Sequence, residues 1–552
     1  MKDTRIILMA LCLMALAWGG TSCKKEKNEN LPAEGEMMTI GADIDQSDVG
    51  NTKTFLSPYE EGVKVKWSNG EKFTLFGNGG TSGNEFVISK GVGETTAHFQ
   101  GEVPAGGLPY FAAYPKEGSS FNGTNTFTFT VPATISYVAE TAAVPSEGGQ
   151  IISVQKHNAP MVGKSDDGKH LQFHNAMSTI LLDLKGSATI QKIVLTDLSN
   201  KKLNGTLTVT VDGNGEIESS SMTGGTSTLT INLGEGVKLD KDKYSLFCFS
   251  VPQYAFAGAE GSKNVKIDIY DVTGGVIKTV EKGLAAGVAA NGAYQVVVDR
   301  VKPLVSSGAF TVYATGVGYR TIYFTHGNLW YDGSEFHFED EQWIASTTDW
   351  NPSHRGHFFW GNDVATAVSQ TGPGYMRGRL FTNLQNNTDR DRYKPNPNFS
   401  IEGQANKFVV IGFDDYGTLL ARTSTVGISG KLLYGMGTVN NVKGLILLPD
   451  AWNTRTYSSF VYGAEKCSQN VFTIEQWDDM EFDGAVFLPI AGYGDNGKSK
   501  ITWPFEGEYW SAFYTESSES AAALWFEDKE EPGTDWIDED YWCSIRLVYY
   551  LQ

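Results

Sequence analysis

The chain has 552 residues, with 64 acidic against 44 basic side chains and a formal charge of −20. A surplus of this size repels phosphate backbones and argues against a nucleic-acid partner. Five cysteines are too few for a disulfide framework, and a chain this long builds its core without one.

The first element is a charged start, Met1-Lys2-Asp3-Thr4-Arg5, followed by an apolar run from Ile6 to Trp18. As a helix that run reaches about 20 Å, short of a hydrocarbon core of roughly 30 Å, so it suits an export signal better than a permanent span. Gly19-Gly20-Thr21-Ser22 then leads into Cys23. Small residues before a cysteine resemble the bacterial lipobox, with Gly20 where that motif usually carries Leu. The resemblance implies cleavage after residue 22 and acylation of Cys23, and two or more acyl chains anchor a protein durably. Residues 23–36 are polar and aperiodic and are expected to act as a tether.

From Met37 the pattern turns to strands. Val63-Lys64-Val65-Lys66-Trp67 and Lys72-Phe73-Thr74-Leu75-Phe76 alternate, separated by the turn Ser68-Asn69-Gly70. Strands are predicted at Glu85–Ile88, Thr96–Phe99, Tyr110–Pro115 and Phe127–Val131. A second series covers Ser178–Leu184, Lys192–Thr196, Leu207–Val211, Ser227–Ile231, Tyr244–Phe249, Val265–Tyr270 and Tyr294–Val298. Short strands at this spacing imply sandwiches.

Thr52-Lys53-Thr54, Val65 to Phe73, Phe99-Gln100-Gly101, Ala113-Tyr114-Pro115, Pro160 to Lys164 and Leu171 to Ala176 occur in an order that resembles the fimbrillin family, pilin subunits derived from lipoproteins of Gram-negative anaerobes. The resemblance spans roughly residues 37–300. It implies two stacked transthyretin-like β-sandwiches, expected at 37–165 and 166–304. It also implies proteolysis near the first strand, for which Lys53 is the best match, and exchange of strands with other fimbrial subunits.

Beyond residue 305 the composition changes: 11 of the 13 tryptophans lie between Trp330 and Trp542. This step marks a third domain, 305–552. Its blocks Thr321–Leu329, Gly444–Trp452, Phe472–Trp477, Gly484–Tyr493, Gly507–Ala512 and Ser544–Val548 resemble a C-terminal domain of bacterial surface lipoproteins, related in fold to C-type lectins and formylglycine-generating enzymes. The expected fold class is therefore mainly β, two sandwiches followed by an α+β lectin-like domain.

Chemistry in this third domain is sparse. His354-Arg355-Gly356-His357 offers a histidine pair, but Pro352 and Gly356 favour a loop, where both histidines would be exposed, and no zincin glutamate intervenes. The carboxylate pairs Asp414-Asp415 and Asp478-Asp479 match no glycosidase arrangement. Leu448-Pro449-Asp450 lacks the Glu or Gln that calcium-dependent lectins place before the proline. Cys467 and Cys543 either pair or stay as buried thiols, and they lie outside any recognisable formylglycine-type motif. No metal, cofactor or catalytic residue is predicted.

The remaining candidates are aromatic. Trp350, Trp360, Trp503 and Trp536 fall among Asn, Asp and Gly in apparent loops, where flat rings beside polar groups suit sugar faces or protein hot spots. Trp452, Trp477 and Trp510 are expected to pack. The expectation is a surface lipoprotein of the outer membrane, a tip or accessory fimbrial subunit that adheres through its C-terminal domain to glycan or to a host or bacterial surface protein. Its final segment, Ser544–Gln552, reads as a strand of that domain and not as a donor for a neighbour. A non-polymerising capture lipoprotein and an enzyme on the lectin-like scaffold are the alternatives.

Overall fold

The computed structural model describes residues 31–44, 67–136, 149–153, 160–259, 261–284, 287–288, 292–314, 318–332, 335–345, 354, 356–359, 400–401, 404–405, 407–494, 501–515, 520–538 and 541–550. Cys23, Lys53, Trp350 and Trp360 lie outside the described residues. The fold is mainly β. Among the described residues only Phe413–Ala421 and Ile474–Phe482 are α-helices, and none is long and apolar enough to cross a membrane.

The strand Met37–Ile44 organises the first unit. It pairs antiparallel with Thr96–Glu102, from Met37 opposite Glu102 to Asp43 opposite Thr96. On its other side it runs parallel to His170–Asn175, from Gly41 beside His170 to Ile44 beside Phe173. These two ladders close a barrel whose other members are Met161–Ser165, Tyr110–Tyr114, Lys72–Phe76 and Gly83–Lys90. Alternation sends Met38, Ile40, Ala42 and Ile44 inward, where they meet Phe73, Phe99 and Phe173. Trp67 is 1% exposed and presents its edge to Phe99, Tyr114 and Phe173 at 4.9, 5.6 and 5.6 Å.

A second layer covers one side of the barrel. Ser119–Phe121, Thr126–Val131, Gly205–Val211 and Ile217–Thr223 form a four-stranded sheet. Its Phe127, Phe129, Leu207 and Val209 pack on Phe76, Phe111 and Val162 of the barrel. Strands from both sides of residue 165 therefore share one sheet. The expected boundary at 165/166 falls inside an antiparallel hairpin, Met161–Ser165 with His170–Asn175. Its turn is closed by Asp167, whose carboxylate accepts the amides of Lys169 and His170 at 2.8 and 3.1 Å. Gly168 sits there at φ +68°.

The second unit is a two-sheet sandwich. One sheet orders Ala293–Val301, Ser178–Gly186, Tyr244–Val251 and Gly149–Ser153, the other Val276–Lys282, Val265–Asp271, Thr189–Asp197, Thr228–Lys238 and Thr134–Ser136. Gly149–Ser153 and Thr134–Ser136 come from before residue 165 and join as parallel edge strands. Ile180, Leu182, Ile193, Leu195, Ile267 and Val296 fill the space between the sheets.

In the C-terminal unit, Phe310–Ala314, Gly318–Phe324, Leu547–Tyr550 and Phe408–Val410 form one sheet, with Leu547–Tyr550 paired on both edges. Tyr434–Val439, Val442–Leu447, Val486–Pro489 and Val471–Phe472 form another, and Glu506–Thr515, Ser520–Glu527 and Gly533–Asp538 a third. The helix Ile474–Phe482 starts at a capping box. Thr473 Oγ1 accepts the Gln476 amide at 3.3 Å, and Gln476 Oε1 accepts the Thr473 amide at 3.0 Å. That helix buries Trp477 and Met480.

The second and C-terminal units share a continuous apolar core, which runs from the sandwich through Leu304 to Leu329, Phe338, Phe408 and Ile545. Beside it Lys302, 8% exposed, sits between Glu341 and Glu481, each at 2.5 Å. Arg300 pairs with Glu341 and Asp478, and Lys241 with Asp479 at 2.9 Å. Asp414 and Asp415 open the helix Phe413–Ala421, where Asp415 is buried and accepts from Arg320 at 2.7 Å. Asp415, Asp478 and Asp479 thus serve structural ion pairs.

Candidate ligand-binding site

Two of the four predicted tryptophans can be placed. Trp503 is half-buried, its ring stacked on Tyr493 at 4.5 Å and 13°, with Tyr541 tilted against it at 5.5 Å. Trp536 is 43% exposed and leans on Phe413 at 5.3 Å. It belongs to the edge strand Gly533–Asp538 and not to a loop. Edge strands carry charged residues that keep them from pairing, and Asp535 and Asp538 gave this one a loop-like composition. Trp452, Trp477 and Trp510 are buried to 1% exposure or less, as packing residues should be.

The structure also draws together residues of which the sequence reading weighed only His354. The hairpin Leu329–Tyr331 with Phe336–Phe338 sets Trp330 opposite His337. Their rings lie 4.6 Å apart, and His354 stacks on Trp330 at 4.2 Å and 18°. His354 Nε2 is 2.7 Å from Oε1 of Glu339, whose side chain is 4% exposed, and His337 Nε2 is 3.3 Å from Asp332. This hairpin faces the outer surface of the sandwich strands Val265–Asp271 and Val276–Lys282. Between them lies a cleft of about 620 Å³. Lys278 reaches across it to Asp340 at 3.1 Å. On the sandwich wall Lys266 pairs with Asp268 at 3.0 Å, and Asp268 accepts the Thr279 hydroxyl at 2.6 Å. The sequence signal was present in the alternation Leu329-Trp330-Tyr331 and Phe336-His337-Phe338, which puts Trp330 and His337 on one outer face. Nothing local announced the opposite wall.

The two histidines of the His354–His357 stretch diverge, and neither is the exposed loop histidine that was expected. His354 enters the cleft. His357 is 5% exposed and donates to the carbonyls of Ala491 and Gly492 at 3.2 and 3.1 Å. Burial holds its imidazole down at about 4, so it is neutral at ordinary pH. Among the described residues no cluster of three His, Cys, Asp or Glu side chains is arranged to hold a metal. Cys467 and Cys543 are buried free thiols. Burial raises Cys467 to about 11 and also pushes Cys543 up, the reverse of an activated thiolate.

Glu508 is 1% exposed, and its Oε2 has no hydrogen-bond partner among the described residues. Burial, reinforced by the charges of Asp535 and Glu506, lifts its carboxyl to about 9. It is a protonated acid at neutral pH.

No family model matches the sequence, and no curated protein matches it. Among solved structures, a candidate cell adhesion protein from Bacteroides ovatus aligns with 48% of this chain and 94% of its own, at 13% identity and TM-score 0.27. A fimbrial protein from the same species aligns with 93% of this chain and 99% of its own, at 12% identity and TM-score 0.22. A C-terminally truncated tip fimbrial protein from Porphyromonas gingivalis aligns with 44% of this chain and 80% of its own, at 11% identity and TM-score 0.18. At these values the likenesses fix neither the fold nor the role of this chain.

Proposed function

We propose that this chain is a lipid-anchored, surface-exposed subunit of a fimbria, acting at the tip or as an accessory and adhering through its C-terminal unit. No enzymatic activity is proposed. The observation that carries the reading is the strand Met37–Ile44. It precedes Lys53, and it hydrogen-bonds on both edges within the barrel while four of its side chains fill the core. A cut after Lys53 would leave this strand held by non-covalent contacts alone. Its departure would expose the amides and carbonyls of Thr96–Glu102 and His170–Asn175 together with pockets for alternate side chains. Such a groove accepts a neighbour's strand through main-chain bonds, with the pockets setting register.

The strand Leu547–Tyr550 has the opposite character. It is engaged on both edges by its own sheet, so it is a poor donor, which favours a position that receives a strand without passing one on. The shared core and the Lys302 cluster fix the C-terminal unit to the sandwich, as a module that bears load requires. A second reading, a non-polymerising lipoprotein that captures glycan or host protein, is favoured by the barrel being complete with its own strand.

Co-expression with a stalk subunit separates the two. Cleavage at Lys53 and co-purification of the shortened chain with the stalk support the fimbrial reading. Unchanged assembly of a Lys53→Ala chain removes the cutting step from it.

A further inference from the structure

We infer that the cleft between the sandwich and the Leu329–Phe338 hairpin is a binding site for an uncharged oligosaccharide. The inference deepens the adhesion reading above by giving its ligand a chemical class and a place. A volume of about 620 Å³ lies within the usual range for small-molecule sites.

Three donor–acceptor pairs line the cleft: Lys266 with Asp268, Lys278 with Asp340, and His354 with Glu339. Each pair holds a donor and an acceptor side by side in fixed positions. Vicinal sugar hydroxyls donate and accept at once, so they bridge such pairs without bringing a counter-charge. An ionic ligand that engaged one of these pairs would have to displace one partner and leave the other alone. The charge balance points the same way. Asp268, Glu335, Glu339 and Asp340 line the cleft against two lysines, and this excess repels sialylated, sulfated and phosphorylated ligands.

Trp330 supplies the apolar component. It is half-buried and braced by His337 and His354, so little side-chain freedom remains to be lost on binding. Both walls are needed, because the lysines come from the sandwich and the aromatic group from the C-terminal unit. The shared apolar core and the Lys302 ion pairs join the two walls.

The full chain in detergent, applied to one array bearing neutral oligosaccharides, sialylated and sulfated oligosaccharides, and basic peptides, tests this. The expected result is retention by neutral sugars alone. Asp340→Ala and Glu335→Gln, on exposed side chains, should each weaken that retention about tenfold or more while Tyr319→Ala, at an exposed side chain outside the cleft, leaves it unchanged. Hydrogen exchange at Val276–Lys282 should slow when the retained sugar is added to the unmodified chain, a readout that needs no variant. Retention by acidic sugars or peptides only, or by nothing, overturns the inference. Neutral-sugar binding that survives both cleft variants but is lost in Trp536→Ala also overturns it and moves recognition to the outer aromatic edge, with the adhesion reading intact.

Discussion

Replacing Glu508 by Gln should change the stability of the C-terminal unit by an amount that grows in favour of Gln as pH rises. In the folded chain this carboxyl keeps its proton up to about 9, whereas in the unfolded chain it releases it near its ordinary 4.5. Between those values the native state binds more protons than the unfolded state, so the wild-type contribution to stability falls as pH rises. From 4.5 to neutral pH, at about 1.4 kcal/mol per pH unit, the loss amounts to about 3 kcal/mol. Glutamine keeps the shape of the protonated acid and does not titrate. Its extra N–H, in a pocket where Glu508 Oε2 already lacks a partner, adds an offset that does not vary with pH. Urea unfolding of both chains at intervals from about pH 5 to about pH 9 should therefore show their stability difference moving in favour of Gln by about 1.4 kcal/mol per unit. A difference that stays flat across this window would refute the argument that burial holds Glu508 neutral.

Lys302→Met should cost about 3–5 kcal/mol, because it leaves Glu481 beside the core without its cation and Glu341 with Arg300 alone. Converting Lys302, Glu341 and Glu481 to apolar residues of similar size should recover most of that loss in the same denaturation assay. His357 supplies the acid-side counterpart. Its folded value of about 4 lies below the ordinary 6.5, so its contribution is complete above about pH 6.5 and is lost as pH falls toward 4. His357→Gln should flatten the acid limb of the stability curve by up to about 3 kcal/mol. Trp67→Ala should destabilise the barrel by about 3–5 kcal/mol, read as a lowered thermal transition, because the ring is fully buried among three aromatics.

Strands were legible where alternation ran long enough to show a period. Lys72–Phe76 matches its prediction, and Thr96–Glu102 alternates exposed and buried along its whole length. Thr134–Ser136 was invisible, since three residues display no period, and its parallel partner Thr228–Lys238 lies far along the chain. The helix Phe413–Ala421 was hidden by its brevity and by Gly417 within it. Composition led the sequence reading to set the tryptophan-rich third apart, yet nothing in it pointed to the cleft. Its walls come from separate units, and its aromatic centre, Trp330, is braced by a histidine that local spacing suggested was in an exposed loop. Trp536 was read as a loop residue because its strand carries the charges of a sheet edge.

Amide exchange along Thr96–Glu102 and His170–Asn175, followed before and after cleavage at Lys53, probes the strand-exchange account at its root. Slow exchange in the intact chain, fast exchange once Met37–Ile44 has left, and slow exchange again when a stalk subunit is added is the expected sequence. Protection that persists unchanged after the cut, with the N-terminal fragment gone, would contradict it.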